Sequence, residues 1–360
     1  MSSPIVPHRH ARPRPLGALA QLLFASLALG CASTPAAPVA PVATAAPPAA
    51  PAPSEGALEP LTEEERALSA ALRRDVERIT ALSCPASLAT SAVPCGRNPK
   101  QRWELAEVAD WLSGELTSAG HQVNRQGIEL DDGLALNLEV TIPGGEEVVV
   151  IGAYYDSSSG SPGADANASG VAGLLALARS LSGRRHQRTL TFAWYAHRVH
   201  AEPSAVTLGS TVHARALAKS ARRVAAMLSL ESIGYFSDAP SAKPTPGLEA
   251  RPNGDFIAVL GAEPARRLVQ HATKTLRRHA SLPVLGGVLP AASAPPAWSD
   301  GWAYELLGIP AIQITDTAER RNPHFRTASD TADTLDYDRM ARVVSGVEAL
   351  IVDLAGGPLL

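Results

Sequence analysis

Groups that could do chemistry gather in a few short segments of this chain. They are Ala153-Tyr154-Tyr155-Asp156, the run from Ser161 through Asp165-Ala166-Asn167 to Gly170, Ala196-His197-Arg198-Val199, Glu231-Ser232-Ile233-Gly234, and Asp316 leading to Pro323-His324-Phe325-Arg326-Thr327. Carboxylates and imidazoles brought together could hold a metal ion, and a spare carboxylate could act as general base on a metal-bound water. His197 and His200 could chelate if helical, with Glu231 or Glu202 completing a set. They follow an apolar strand-like run, however, so a loop with surface or hydrogen-bonded histidines is the better reading. Nucleophilic hydrolysis is the other chemistry to weigh. Ser157-Ser158-Ser159-Gly160-Ser161 is serine-rich, with Asp and His nearby. It lacks the Gly-x-Ser-x-Gly elbow, and a flexible loop is expected there.

The elements that must position these groups follow from apolar spacing. Thr62-Glu63-Glu64-Glu65 is a capping box, and Leu68, Leu72, Val76 and Ile79 follow at helical spacing. A second helix is predicted over about 102–119, with Trp103, Val108, Trp111 and Leu112 inward and Gly120 as its stop. Strands are predicted near 121–130, 134–142, 148–153, 189–195, 224–230, 256–261 and 311–315. Helices are predicted over 168–181, 264–279 and 337–354. The run 148–153 is apolar on both faces and reads as a central strand. Apolar strands alternating with helices imply an α/β fold, a mostly parallel sheet covered on both faces. Sites in such sheets lie beyond the carboxyl ends of the strands, where the segments above fall.

Together these segments resemble metallopeptidase family twenty-eight, the co-catalytic zinc aminopeptidases and their relatives, from about residue 60 onward. Framework motifs strengthen the likeness: Gly209-Ser210, Leu228-Ser229-Leu230-Glu231, Trp298-Ser299-Asp300, Gly308-Ile309-Pro310 and Ser329-Asp330-Thr331. The resemblance implies a three-layer zinc-exopeptidase-like fold with a mostly parallel mixed sheet. It also implies two zinc ions bridged by a carboxylate and a water, with a glutamate as general base. This chain departs from that pattern at most of the positions that matter. Tyr154 stands for the first His ligand, Ala166 for the bridging Asp, Arg198 for the general base, Val199 for its ligand neighbour and Arg326 for the last His. Glu231 alone keeps a ligating side chain of the usual type. Arginine offers no lone pair to zinc at neutral pH. No catalytic residue and no cofactor are therefore expected here, although active relatives use zinc.

The residues that remain outline a candidate ligand cleft: Tyr154, Asp156, Asp165, Arg198, Glu231, Asp300, His324 and Arg326. Glu231 would be costly to bury unpaired, so an ion pair with Arg198 or Arg326 within about 4 Å is expected. The reading that follows is a pseudopeptidase acting as a binding protein, for a peptide or protein ligand among others. An active hydrolase with a rebuilt metal site and a structural envelope lipoprotein are the alternatives.

The N-terminus reads as an export signal. His8, Arg9, His10, Arg12 and Arg14 precede a nearly uncharged run, Leu16 to Leu29, too short to span a bilayer. The run ends at Gly30-Cys31, which resembles a bacterial lipobox, with Ala28 where Leu is usual. Lipidation at Cys31 is expected, and cleavage near Ala32–Ser33 is the alternative. Residues 1–31 are thus a signal, 32–58 an Ala/Pro-rich tether and 59–360 the zinc-exopeptidase-like domain. The expected location is the cell envelope, with a lipid anchor in the outer membrane facing the periplasm or the surface. Cys84 and Cys95, close together in an oxidising compartment, are expected to form a disulfide. A net charge of -3 excludes a strongly basic nucleic-acid binder.

Overall fold

The computed structural model describes residues 58–85, 94–131, 133–199, 206–220, 222–240, 243–290 and 299–356. The signal, Cys31 and the tether lie outside the described residues, as do His200, Glu202 and Trp298.

Helix α1 (Glu63–Ser83) starts where the capping box places it. The Thr62 hydroxyl accepts from the Glu65 amide at 3.1 Å, and the Glu65 carboxylate accepts from the Thr62 amide at 2.8 Å. Its apolar stripe, Leu72, Val76 and Ile79, is fully buried. Helix α2 (Arg102–Ser118) buries Leu105, Val108, Ala109, Leu112 and Leu116. Trp103, expected inward, is 72% exposed. It sits two residues from Leu105, off the stripe of 3.6-residue period, and lies against Arg102 at 5.5 Å.

Strands β1 (Asn124–Leu130) and β2 (Gly133–Ile142) form an antiparallel hairpin. Then come β3 (Gly145–Tyr154), helix α3 (Ser169–Leu181), β4 (Arg188–Tyr195), helix α4 (Gly209–Lys219) and β5 (Arg223–Leu230). A two-stranded ribbon, β6 (Ser237–Pro240) with β7 (Asn253–Gly254), stands apart from the main sheet. Strand β8 (Ile257–Gly261), helix α5 (Arg266–His279), strand β9 (Val284–Val288), helix α6 (Trp302–Glu305), strand β10 (Ala311–Thr315) and helix α7 (Tyr337–Gly356) complete the chain.

The main sheet has eight strands in the order β1-β2-β4-β3-β5-β10-β8-β9. Its central block, β4, β3, β5 and β10, is parallel throughout, so all four carboxyl ends emerge along one edge. Strand β3 shows why this block is central. Val149, Ile151 and Ala153 face a core shared with α1, α2, α3, α5 and α7, while Val148, Val150 and Tyr154 face one shared with α4 and α6. With both faces covered, apolar residues occupy every position rather than alternate ones. The α/β architecture, mostly parallel with helices on both faces, is as the sequence implies.

Candidate functional site

Four connections leave that edge, and each is held by backbone hydrogen bonds to a buried polar side chain. The connection after β3 is clamped from the side of α1. Cys84, at the end of α1, and Cys95 form the expected disulfide. It places Arg97, which is fully buried, against the loop. The guanidinium donates to Tyr155 O at 2.6 Å, to Pro162 O at 2.5 Å, to Gly163 O at 2.9 Å and to the Ser83 hydroxyl at 2.8 Å. Burial pushes its pKa down to about 10, so it stays charged at neutral pH. The serine-rich segment, expected to be flexible, is packed instead. Ser157 and Ser161 are buried, and the Ser157 hydroxyl donates to Ser161 O at 3.1 Å.

Residues 163–169 are tied down next. Gly163 has φ +63°, and a Cβ there would lie 2.6 Å from Ala166 O, so only glycine fits. Asp330 accepts from the Asp165 amide at 2.7 Å and the Ala166 amide at 3.2 Å. Asn167 joins two strand ends. Its side-chain amide donates to Tyr154 O at 3.1 Å and Leu230 O at 3.0 Å, and its oxygen accepts from Ser232 N at 2.8 Å. Asp165 accepts from the Asn322 amide at 2.7 Å. Burial, reinforced by the charge of Asp316, pushes Asp165 well above the usual carboxylate range. Burial raises Asp316 too, opposed by Arg321. For Asp330, burial and then the charge of Asp165 push the pKa to about 6.

In front of this anchored loop lie Tyr154, Arg198, Glu231 and Asp300. The Arg198 guanidinium reaches Glu231 at 3.5 Å and Asp300 at 3.8 Å. This is the ion pair that the isolated carboxylate required. Burial works against the Arg198 charge, yet Glu231 and Asp300 hold its pKa above the ordinary value. Burial raises Glu231, opposed by Arg198 and then Arg326. Asp300 is pushed up to about 8 by burial, with the charge of Glu231 adding and Arg198 opposing. Tyr154 is fully buried, its ring 5.9 Å from the Arg198 guanidinium and its hydroxyl beside the Arg326 guanidinium. Asp156 accepts from the amides of Arg198 and Val199, both at 2.9 Å, and so holds the turn after β4. Val199 packs beside the core that contains Tyr154 and Tyr195.

A cleft of about 330 Å3 opens at this point. Arg198, Glu231 and Arg326 line it, with Thr317, Glu319 and Arg320 from the connection after β10. Tyr154, Asp156, Asp165 and Asp300 are buried rather than cleft-lining. His324, expected in the cleft, is not among its lining residues. Its Nδ1 pairs with the Ser329 hydroxyl at 2.9 Å, and its ring stands edge-on to Tyr235. His197 is likewise turned aside, its Nδ1 3.1 Å from Thr207 O. The donor set does not fit a two-zinc centre. A guanidinium lies against Glu231, and no three His, Cys, Asp or Glu side chains among the described residues gather where they could hold a metal ion.

Sequence reasoning missed Arg97, Asn167, Thr317, Glu319 and Arg320. Thr317 had no local signal, because its place depends on a left-handed turn. Six non-glycine residues among those described have positive φ. Five of them, His197, Ser232, Thr317, Ala318 and Arg326, lie in the connections at this edge. Such backbone strain concentrates at functional sites.

Comparison with known proteins agrees with this architecture. The family model described as peptidase family M28 matches residues 137–351. A protein of Escherichia coli (strain K12) named uncharacterized protein YfbL is 36% identical over 260 residues, covering 69% of this chain and 80% of that protein. A probable leucine aminopeptidase of Arthroderma otae is 26% identical over 267 residues, covering 69% of this chain and 66% of the fungal protein. Among solved structures, the Legionella pneumophila LapA aminopeptidase superposes with a TM-score of 0.61 at 19% identity, covering 87% of this chain and 78% of LapA. That last likeness is one of fold.

Proposed function

The chain belongs to peptidase family M28, and from that premise we propose that it is a pseudopeptidase whose strand-end cleft binds a ligand without cleaving it. The observation that carries the reading is the Arg198 guanidinium, which lies against Glu231 and Asp300 at the position of the family's general base. A fixed cation there supplies the charge compensation that metal ions would supply to the same carboxylates. It cannot take a proton from a water, so general-base chemistry has no agent at that position. The test is metal analysis of the dialysed full-length protein by mass spectrometry, with an aminoacyl-nitroanilide assay in added zinc. No stoichiometric zinc and no chelator-sensitive turnover are expected. Bound zinc with turnover abolished by chelator would establish a rebuilt hydrolase instead.

Export and lipid anchoring at Cys31 belong to the same proposal, supported by the basic head, the apolar run and the small residue before the cysteine. The binding domain would then work at a membrane of the bacterial envelope. Cys31→Ser should release the protein from the membrane fraction, and continued partitioning into membranes would refute the anchor.

A further inference from the structure

We propose that the cleft beside Glu231 takes a small carboxylate monoanion, gripped by Arg326 and Arg320 and oriented by a hydrogen bond given to Glu231. The proposal rests on the reading of this cleft as a binding site and names its ligand class. At about 330 Å3 the cleft is near the lower limit of the roughly 300–1,000 Å3 typical of ligand pockets. The occupant is therefore a metabolite-sized molecule.

Charge decides its sign. Three guanidinium groups, Arg198, Arg320 and Arg326, face two carboxylates, Glu231 and Glu319, leaving one positive charge in excess. Arg198 is committed to Glu231 and Asp300. Arg326 makes no ion pair within 4 Å among the described residues; its guanidinium lies beside the neutral Tyr154 hydroxyl, and its charge acts on Glu231. Arg320 gives one nitrogen to Pro244 O at 2.8 Å and pairs with no described carboxylate. A carboxylate matches the planar fork of arginine with two parallel hydrogen bonds. A dianion would meet two glutamates with a single spare cation, and a free ammonium would meet three arginines, so neither suits this lining.

Two atoms of the lining fix the rest of the ligand. Glu231 Oε2 and Thr317 Oγ1 are buried and have no hydrogen-bond partner among the described residues. Each belongs to a residue only 6% exposed. Buried polar atoms without partners are rare, and a pair on one cleft wall marks where a ligand's own polar groups belong. Glu231 Oε2 accepts, so the ligand carries a hydroxyl or N–H donor near its carboxylate. Thr317 Oγ1 can donate to the carboxylate itself. The left-handed backbone at Thr317, Ala318 and Arg326 builds this rim before any ligand arrives.

The experiment is calorimetric titration of the full-length protein in detergent and chelator with three acid–amide pairs: lactate and lactamide, N-acetylleucine and N-acetylleucinamide, glucuronate and glucuronamide. At least one acid should bind, and its amide should bind at least about tenfold more weakly, the loss expected for a charge-assisted hydrogen bond. Arg326→Gln should remove that preference, and Arg326→Lys should restore part of it. Equal folding of the variants is checked by their melting temperatures. If no pair shows a preference for the acid, or if inorganic phosphate binds more tightly than every acid, the proposal falls. Zinc is measured on matched protein prepared without chelator. Zinc-loaded, active protein defeats the pseudopeptidase reading, whereas zinc-free protein without acid preference defeats the carboxylate alone.

Discussion

The site divides into two halves built on opposite logic. In the rear half, Asn167 and Asp330 spend their polar atoms on backbone amides and carbonyls, fixing residues 163–169 against the ends of β3 and β5, and Asp165 accepts from the Asn322 side chain. In the front half, Arg198 and Glu231 spend theirs on each other, and Arg326 adds a second cation. By the resemblance, the rear half keeps Asp165, Asn167 and Asp330 and departs at Ala166, whereas the front half keeps Glu231 alone. The difference teaches what each kind of residue was for. A side chain that holds backbone is needed whether or not metal is present, because an unpaired buried amide costs about 1–3 kcal/mol. A side chain that held an ion is free to change once the charge is balanced otherwise. Asp156 shows the transition. The family pattern uses it to orient a histidine, and here it accepts from two amides of the turn after β4.

This contrast breaks most severely at Arg97. Arg97→Met would leave three buried carbonyls and the Ser83 hydroxyl without their donor. A stability loss of about 3–5 kcal/mol in urea unfolding is expected, in the range for breaking a buried charged network. A loss below about 1 kcal/mol would mean that the rear half is not anchored in this way.

The front half responds to Arg198→Met. Glu231 and Asp300 would lose their shared cation, and both would take up protons rather than stay charged. About 3 kcal/mol should be lost at pH 8 and distinctly less at pH 5, where the carboxyls protonate more readily. A loss that does not change with pH would assign Arg198 a packing role only.

How much of this was legible follows the same division. The central strands and the long helices announced themselves, since their apolar spacing is set by covered faces. Helix α4 did not. It is short, opens on Gly209-Ser210 and buries a polar His213 among tyrosines. Strand β9 was missed because Gly286 and Gly287 interrupt its short apolar run. A Cβ at Gly286 would strike the Thr273 side chain, and one at Gly287 would lie 2.6 Å from Gly247 O. The glycines are there because other chain segments approach closely, and spacing along one strand carries no sign of that. At the site, the resemblance named candidate positions one by one. Which arginine would meet Glu231 was not legible, since that depends on the left-handed turns at His197 and Arg326.

Acidity tests both halves at once. Asp330 in the rear and Asp300 in front have folded pKa values near 6 and 8, against an ordinary value of 3.8. A carboxyl raised in the folded state holds its proton more tightly than in the unfolded chain. Its contribution is therefore full below about pH 4 and is lost as pH rises through the folded value. Stability should fall by at least about 2 kcal/mol between pH 5 and pH 8.5, with Asp300→Asn removing the upper part of the decline. A flat profile across that window would mean that these carboxyls are ionised and compensated throughout.

The smallest effect sharpens the comparison most. Tyr154 stands where the family pattern has a metal-binding histidine. Its ring fills the core between β3 and α6, beside Tyr195 and Tyr304, while its hydroxyl is buried beside the Arg326 guanidinium. Burial raises its pKa, so the hydroxyl is neutral. If the ring is the reason for the residue, removing the oxygen should cost nothing, because an unsatisfied buried hydroxyl is itself a penalty. Tyr154→Phe should then change stability by less than about 1 kcal/mol, in the stabilising direction. If instead the hydroxyl is held by a water or by the Arg326 guanidinium, Phe would strand that partner and the protein would lose stability. Urea unfolding of Tyr154→Phe with and without Arg326→Gln separates the two. Independent effects leave Tyr154 as packing. A coupling above about 0.5 kcal/mol makes the hydroxyl part of the cleft's charge network, and the front half then extends one layer deeper into the sheet than its ion pairs indicate.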